Sequence, residues 1–380
     1  MADTQTIQNI VDSNCGMLLT DMQKANPNAD VGISVALYYP GNTDVPGFFK
    51  YGSAGPGIDI TDTTVYAMGS VTKVFTATLA SYLNVKNIVG ALDQTTVSQY
   101  LKNLSCTPTG VSGTYWDEVT FADFATQTSG MPDEANGRYS EQLFADELPS
   151  CRQMSWWTDS ENETNFQKNQ QFWIYSNAGF VTLGFAVAAA AADAALAVGY
   201  TALLKNIITS PIGMPNSFTG DDVPANAVIA EGYDSPNSQP RPATNAVDLK
   251  STAQDMLAWL DAVYTAMRLQ ATQGASLTPL QQAIANTTNT WKTNLTNPNK
   301  NPIPFDMGLA WQIPTMGSAQ VLAKNGATGK GGFSCWVGLT RYDSAVPAAG
   351  IALMTNQIGV DPDPTARKIL HDIIDTNSSA

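Results

Sequence analysis

Apolar and polar positions along the 380-residue chain follow two different periods. Residues 5–26 carry apolar side chains at near-helical spacing, whereas residues 31–39 alternate in the manner of a β-strand. A Pro-Gly-Asn turn at 40–42 predicts that residues 48–51 return as the hairpin partner of that strand. The pattern therefore predicts a helix and a hairpin in the first fifty residues.

From residue 74 to about 300 the periodicity is mainly helical, and from residue 306 onward strand alternation resumes. The predicted helices span 71–85, 94–103, 120–127, 177–196, 198–208, 251–271, 278–289 and 364–375. The later strands are predicted at 307–313, 319–323, 333–340 and 349–354. Residues 132–170, with Trp156 and Trp157, are polar and predict a long loop, and loops of that length tend to be functional.

Strand-rich ends that bracket a helical middle predict an α/β (α+β) fold. We expect an antiparallel sheet flanked by N- and C-terminal helices, with a large, mostly helical inserted domain. The predicted domains are 1–75 together with 300–380 for the sheet, and 76–299 for the helical part. A chain of this length can form two such domains, and we expect the active site at their interface.

Charge excludes one class of function. The chain has 19 Lys and Arg against 33 Asp and Glu, a net charge of -14, without a visible basic cluster. Nucleic-acid binding draws on such clusters, so we expect no nucleic-acid partner. The longest apolar candidate, residues 180–198, is mostly Ala and contains Asp193, which favours a buried helix over a membrane span. The N-terminal residues lack the charged and apolar regions of a signal peptide.

Cysteine and histidine usage limits the chemistry further. Cys15, Cys106, Cys151 and Cys335 form no C-x-x-C pair and have no adjacent His, so we expect no metal and no cofactor. Cys106 and Cys151 lie in polar loop sequence, where a disulfide and two free thiols both remain open. The single histidine, His371, lies among charged residues of a predicted surface helix. A serine hydrolase with this sequence would need a base other than histidine.

Three short motifs carry candidate chemistry. Ser70 and Lys73 are three residues apart at the start of a predicted helix, which places both side chains on one face, one turn apart. Tyr175-Ser176-Asn177 precedes a helical segment, and Lys324-Asn325-Gly326 follows a short strand. Taken singly, each has a structural explanation: a helix cap for Ser70, a core aromatic residue for the tyrosine and a solvated lysine for the third motif. Their combination favours activation of a serine nucleophile.

The order Ser-x-x-Lys, Tyr-x-Asn, Lys-x-Gly resembles the serine β-lactamase and penicillin-binding protein superfamily. It is most similar to the class C β-lactamases and their esterase and D-peptidase relatives. Further similar stretches lie at 66–76, 127–132, 211–218, 251–257, 307–311, 324–333 and 351–356.

The resemblance implies a serine hydrolase in which Ser70 is the acylated nucleophile. Either Lys73 or Tyr175 would act as the base, and the sequence does not decide between them. The backbone N–H groups of Ser70 and Ala327 would form the oxyanion hole.

The resemblance also implies a substrate-binding set with two departures from the family pattern. Asn177 would position Lys73 and a substrate amide, and Lys324 would face a substrate carboxylate beside Gly326. Asn325 stands where Thr is usual, and Asp363 stands where an amide is usual. A carboxylate at Asp363 would make the site less favourable to an anionic substrate.

Three functions follow from these observations. The first is β-lactam hydrolysis of the class C type. The second is a promiscuous carboxylesterase or D-amino-acid peptidase, and the third is a slowly acylating penicillin-binding protein. In each case we expect a small-molecule amide, ester or lactam substrate, a monomeric protein without a membrane span, and the periplasmic or secreted location of the family.

Overall fold

The computed structural model describes residues 3–101, 115–131, 172–197, 199–245, 248–273, 277–343 and 345–378. Cys106, Cys151 and the whole predicted loop at 132–170, with its two tryptophans, lie outside these residues. The described part contains both helices and strands.

The helices are α1 Thr4–Ala25, α2 Thr72–Val85, α3 Ser98–Leu101, α4 Tyr115–Glu118, α5 Phe121–Ala125, α6 Asn177–Asp193, α7 Tyr200–Leu204, α8 Ser210–Ile212, α9 Ala253–Gln273, α10 Pro279–Thr288 and α11 Asp363–Ser378. The strands are β1 Gly32–Tyr38, β2 Phe48–Gly52, β3 Thr64–Ala67, β4 Val228–Ile229, β5 Glu231–Gly232, β6 Arg241–Pro242, β7 Lys250–Ser251, β8 Asp306–Met307, β9 Gln312–Ile313, β10 Thr315–Met316, β11 Ala319–Ala327, β12 Ser334–Thr340 and β13 Gly350–Thr355.

The chain divides into two compact units. Unit 1 comprises Met1–Thr72, Thr209–Ala275 and Pro314–Ala380, and unit 2 comprises Lys73–Ile208 and Ser276–Ile313. The predicted helical domain, 76–299, differs from this division because the second segment of unit 1 falls inside it. That segment belongs with unit 1, since its β7 pairs with β3 and its α9 packs against β1 and β13 of the sheet.

Unit 1 contains an antiparallel sheet in the order β2-β1-β13-β12-β11, with β10 paired to β11. The two ends of the chain meet in it, since β1 pairs with β13 from Ile33↔Thr355 to Tyr38↔Gly350. Pairing of β11 with β12 is continuous from Val321↔Thr340 to Ala327↔Ser334.

The sheet of unit 1 is covered by helices on both faces. Apolar residues of α1 and α11 form one core with the inward side chains of the central strands, including Val35, Leu353 and Trp336. On the opposite face Tyr38 lies 5.7 Å, centroid to centroid, from Tyr264 of α9. This layering is the typical way in which a sheet and amphipathic helices bury their apolar sides.

A buried asparagine ties the segments of unit 1 together. Asn356 Oδ1 accepts from the N–H of Gly32 at 2.7 Å. Its Nδ2 donates to the carbonyl oxygens of Asp30, Ser53 and Glu231 at 3.0 to 3.3 Å. Since a buried amide is costly unless it is hydrogen-bonded, these contacts fix three other segments of the chain around the Asn356 side chain.

Unit 2 is built around two buried helices. In α2, residues on all sides are buried, which is typical of a helix inside a domain core. The Ala-rich α6 begins at an N-cap, Ser176, whose Oγ accepts from the N–H of Gly179 at 2.9 Å. The short α5 has a capping box formed by Thr120 and Asp123, and Asp123 lies 3.5 Å from the amine of Lys292.

The predicted fold class is confirmed, and most predicted helices and strands are present. The predicted helix at 198–208 is instead α7 followed by a π-helical turn, Lys205–Thr209. The short strands β3 to β7 escaped prediction because two to four residues show no alternation. Strand β11 runs to Ala327, beyond its predicted end, because polar Lys324 and Asn325 hid its continuation. Among the described residues, no helix is long and apolar enough to cross a membrane.

Candidate active site

Ser70 lies in a single 3-10 turn, Gly69–Val71, that runs directly into α2. We call these three residues the Ser70 turn. Lys73 is the second residue of α2, so the predicted helix start at 71 is confirmed within one residue. The sequence therefore places the serine hydroxyl at the first turn of a helical segment, as the motif predicted.

Hydrogen bonds of the backbone and of the Thr72 side chain hold the Ser70 turn within unit 1. Thr72 Oγ1 donates to the Gly69 carbonyl oxygen at 2.6 Å and accepts from the N–H of Leu249 at 3.0 Å. The N–H of Met68 donates to the carbonyl oxygen of Leu249 at 2.8 Å. A turn fixed on both sides in this way can hold a nucleophile in one position.

The end of β11 packs closely against the Ser70 turn. A Cβ atom on Gly69, whose φ is +47°, would lie 2.6 Å from the backbone nitrogen of Ala327. A Cβ atom on Gly326 would clash with the carbonyl oxygen of Met68. Only glycine allows this approach of two backbones, so the predicted pair Ser70 and Ala327 belongs to segments that are in contact within unit 1.

The thiol of Cys335 lies behind the same turn. Cys335 is the cross-strand partner of Gly326, and its Sγ donates to the Met68 carbonyl oxygen at 3.1 Å. Complete burial raises the pKa of this thiol to about 12, because the thiolate would lose its hydration there, although Lys324 partly offsets the effect. The thiol therefore stays protonated and remains a donor at neutral pH.

Lys324 is a buried lysine in β11, with 3% of its surface exposed. Alternation along the strand puts it on the same face as Gly326, the face that the Ser70 turn contacts. Its Nζ donates to the carbonyl oxygen of Asn325 at 2.7 Å and to Oδ1 of the same residue at 3.3 Å. Asn325 itself is exposed. The cation is thus held at the strand rather than extended into solvent.

In unit 2, the residues Lys73, Tyr175 and Asn177 come together, and we call them the Lys73 cluster. The amine of Lys73 donates to Oδ1 of Asn177 at 2.6 Å and lies 5.0 Å from the ring centroid of Tyr175. The ring of Phe180 is 5.7 Å away on α6. Lys73 is only 8% exposed, so its electrostatic interactions are weakly screened.

Asp363 is engaged in a different set of contacts. It begins α11, where its Oδ1 and Oδ2 accept from the Arg367 guanidinium one turn later, the second at 3.3 Å. The Arg367 guanidinium lies 5.4 Å from the ring of the buried Trp336. The ion pair offsets the negative charge that Asp363 was expected to place on the substrate side.

His371 occupies the expected surface helix. Its side chain is 44% exposed, and its Nδ1 lies 3.4 Å from Asp375 on the same face of α11. Across the described ranges, no group of three or more His, Cys, Asp or Glu side chains is arranged to hold a metal ion.

Sequence reasoning gave no role to two residues that the structure places next to the motifs. They are Cys335, beneath Met68, and Gln127, which is hydrogen-bonded on both sides of Tyr175. The apolar pattern makes Gln127 the last residue of the predicted helix 120–127 and does not single it out, whereas α5 ends at Ala125, two residues earlier. No local signal marks Cys335, since its contact is made 267 residues along the chain.

Comparison with known proteins places the chain in a family. The family model described as Beta-lactamase matches residues 24–374. A beta-lactamase from Providencia stuartii is 27% identical over 268 residues, which are 67% of this chain and 59% of that protein. One from Pseudomonas fluorescens is 24% identical over 74% of this chain and 69% of its own length. The chain therefore matches about three fifths of the first relative and about two thirds of the second.

Solved structures show the same fold. A beta-lactamase from Sulfitobacter superposes with a TM-score of 0.72 at 19% identity and full coverage of both chains. A class C beta-lactamase gives a TM-score of 0.70 at 20% identity over 97% of each chain. Since the family model covers nearly the whole sequence, this chain belongs to the beta-lactamase family.

Proposed function

We propose that this chain is a serine hydrolase that opens β-lactam amides through an acyl-enzyme at Ser70. One observation carries the proposal: the buried amine of Lys73, three residues after the serine, is 2.6 Å from Asn177 Oδ1 and lies over the ring of Tyr175. An amine and a phenol held together are the components that a serine hydrolase without a catalytic histidine needs.

In the proposed acylation, Ser70 Oγ attacks the carbonyl carbon while its proton passes to Lys73 or to the Tyr175 phenolate. The carbonyl oxygen becomes an oxyanion that the N–H groups of Ser70 and Ala327 stabilise, each by about 3 kcal/mol. The tetrahedral intermediate collapses, the C–N bond breaks, and the same acid returns the proton to the leaving nitrogen. Water then hydrolyses the ester of Ser70 and regenerates the hydroxyl.

The remaining motif residues are proposed to bind substrate. Asn177 holds Lys73 through Oδ1 and would present its amide to the substrate amide. Lys324, with Asn325 and Gly326 in the same strand, would attract a substrate carboxylate. Asp363 is proposed to repel an anionic substrate only weakly, because its carboxylate is paired with the Arg367 guanidinium.

The decisive experiment combines turnover with detection of the covalent intermediate. Nitrocefin hydrolysis is measured for the wild type and for Ser70→Ala, and the penicilloyl adduct is mapped by mass spectrometry. We expect turnover and an adduct on Ser70 in the wild type and neither in the variant. An enzyme without turnover or adduct would refute lactam hydrolysis. A stable adduct without turnover would instead identify a slowly acylating penicillin-binding protein.

Ester hydrolysis is a second candidate, favoured by the contacts of Lys324. Its amine already donates to two oxygens of Asn325, so a substrate carboxylate would have to compete with them. Esters without a carboxylate avoid this competition. If esters are the substrates, p-nitrophenyl acetate is cleaved faster than nitrocefin and Lys324→Met leaves its cleavage unchanged. If lactams are the substrates, Lys324→Met raises the KM for nitrocefin. A panel of D-Ala-D-Ala peptides tests the peptidase alternative.

We further propose a monomer in the periplasm or outside the cell, from the family resemblance. Light scattering on a size-exclusion column tests the monomer, and fractionation of the native host tests the location.

A further inference from the structure

We infer that Gln127 is a positioning residue that fixes Tyr175 beside Lys73, an inference that rests on the function proposed above. Nothing in the motif order assigns this role to it. Three features of Gln127 support this role: its backbone conformation, its two hydrogen bonds to the segment around Tyr175, and its place at the end of α5.

The backbone of Gln127 is left-handed, with φ at 62°. It is the first residue after the C-cap Thr126 of α5, a position that helices commonly fill with glycine because other residues are strained there. Glycine would meet the local backbone requirement without strain. A side chain kept at a strained position indicates a use for that side chain.

That use is visible in the contacts on either side of Tyr175. The N–H of Ser176 donates to Gln127 Oε1 at 2.7 Å, and the N–H of Ile174 donates to the Gln127 carbonyl oxygen at 2.9 Å. Gln127 is 4% exposed, so water does not compete for these bonds. Gln127 therefore accepts hydrogen bonds from the backbone N–H groups of both residues that flank Tyr175.

The support for Gln127 is rigid. Its own N–H donates to the Phe124 carbonyl oxygen at 3.1 Å, and the N–H of Thr128 donates to that of Asp123 at 2.8 Å. On the other side of the tyrosine, Ser176 caps α6. Tyr175 thus lies between the end of α5, which carries Gln127, and the start of α6, which Ser176 caps. Through its hydrogen bonds on both sides, Gln127 sets the position of Tyr175 relative to the amine of Lys73 in unit 2.

Three substitutions separate the side chain from the backbone. Gln127→Met keeps the length and the left-handed backbone but removes the acceptor oxygen. Gln127→Gly relieves the backbone and also removes the acceptor, whereas Gln127→Glu restores an oxygen at the same reach. The matched control is Thr126→Val, which removes a buried hydrogen bond to the Ala122 carbonyl oxygen from the same helix end.

The readout is the rate at which a fluorophosphonate probe labels Ser70 as a function of pH, which needs no knowledge of the natural substrate. We expect Gln127→Met and Gln127→Gly to slow labelling about tenfold, the loss that corresponds to one hydrogen bond, and to shift the pH profile. Gln127→Glu recovers most of the rate. Thr126→Val lowers the melting temperature and leaves the pH profile unchanged.

A double-mutant cycle identifies the route of the effect. If Gln127 acts through Tyr175, then Gln127→Met has little further effect in a Tyr175→Phe background, whereas a general structural loss would be additive. Additive effects, or labelling of Gln127→Met at the wild-type rate and pH profile, would overturn the inference. If the wild type is neither labelled nor active, the proposed function fails instead. A crystal structure of Gln127→Met then decides the positioning role, which an unmoved Tyr175 ring would refute.

Discussion

The amine of Lys73 and Oδ1 of Asn177 are 2.6 Å apart, although 104 residues separate them in the chain. This hydrogen bond joins the start of α2 to the start of α6 within unit 2. It ties the buried amine of Lys73 to the side-chain amide of Asn177.

Replacing Asn177 by Ala removes the oxygen to which the Lys73 amine donates. A hydrogen bond to a charged group contributes about 1.5–3 kcal/mol, so we expect kcat/KM to fall by about ten- to 150-fold. Thr76→Val is the matched control, because Thr76 lies one turn further along α2 and its Oγ1 shares a 2.7 Å hydrogen bond with Tyr200. The control is expected to lose stability and keep its kcat. Equal losses of kcat/KM in both variants would contradict a specific role for Asn177.

Tyr175→Phe keeps the ring over Lys73 and removes only the hydroxyl group. If the phenol transfers the proton, the rate of Ser70 acylation falls by about 10²–10⁴, the usual contribution of a general acid or base. Stopped-flow measurement of the acylation phase checks this result, and thermal unfolding serves as the stability control. Acylation at the wild-type rate would exclude the phenol and leave Lys73 as the base.

Gly326→Ala introduces a side chain where β11 contacts the Ser70 turn. Its Cβ would clash with the Met68 carbonyl oxygen and lie 2.7 Å from Cys335 Sγ, so we expect a destabilisation of about 1–3 kcal/mol. Activity is expected to fall further than stability alone explains, because the turn itself is displaced. The control is Gly16→Ala in α1, where a Cβ meets nothing within 4 Å.

For that control we expect a gain of about 0.5–1 kcal/mol, the difference between glycine and alanine inside a helix. Urea unfolding and nitrocefin or ester turnover are measured on both variants. A fully active Gly326→Ala enzyme would show that the close approach of the two backbones is unnecessary for catalysis.

Substituting Cys335 is expected to change activity through the backbone beside the Ser70 turn, without a contact between the thiol and the substrate. Cys335→Ala removes the donor to the Met68 carbonyl oxygen, and we expect kcat/KM to fall about two- to tenfold. Cys335→Ser restores a donor and should recover activity. Cys15→Ala is the matched control, since that thiol is equally buried but lies on α1. If Cys15→Ala reduces kcat/KM as much as Cys335→Ala, the effect is not specific to the turn.

The same two thiols predict how stability depends on alkaline pH. Burial raises the pKa of Cys15 and of Cys335 from 9.0 to about 12. Between these values the unfolded thiol loses its proton while the folded thiol keeps it, so the stability contribution present below pH 9 is lost as pH rises toward 12. Each thiol adds a slope of up to about 1.4 kcal/mol per pH unit.

Urea unfolding from pH 7 to 10.5 tests this slope. The free energy of unfolding should fall more steeply for the wild type than for Cys15→Ala or Cys335→Ala. Parallel curves would mean that the folded thiols ionise as readily as the unfolded ones.

The sheet, the long helices and the three motifs could be predicted from the sequence, because each depends on local periodicity or on a short run of residues. Helix α1 and strands β1 and β12 appear within two residues of their predicted ends. Local pattern also placed Ser70 at the start of α2. Predicting the short strands β3 to β7 was not possible from the same pattern.

What the sequence did not contain is the set of contacts that supports the motifs. Gln127 and Ser176 are 49 residues apart, and Cys335 and Met68 are 267 apart. Periodicity carries no information on such pairs, because they depend on how elements pack rather than on how each one forms. The ion pair of Asp363 with Arg367 is different: its i,i+4 spacing on a helix was available, and it changes how that carboxylate should be interpreted.

The pairing of β1 with β13 also sets when this protein can fold. Ile33 meets Thr355, so the central ladder of the sheet closes a loop of more than three hundred residues. Until β13 has been synthesised, β1 has β2 on one edge and an open, apolar edge on the other. A ladder between residues this far apart in the chain predicts slow folding that awaits the last strand of the sheet.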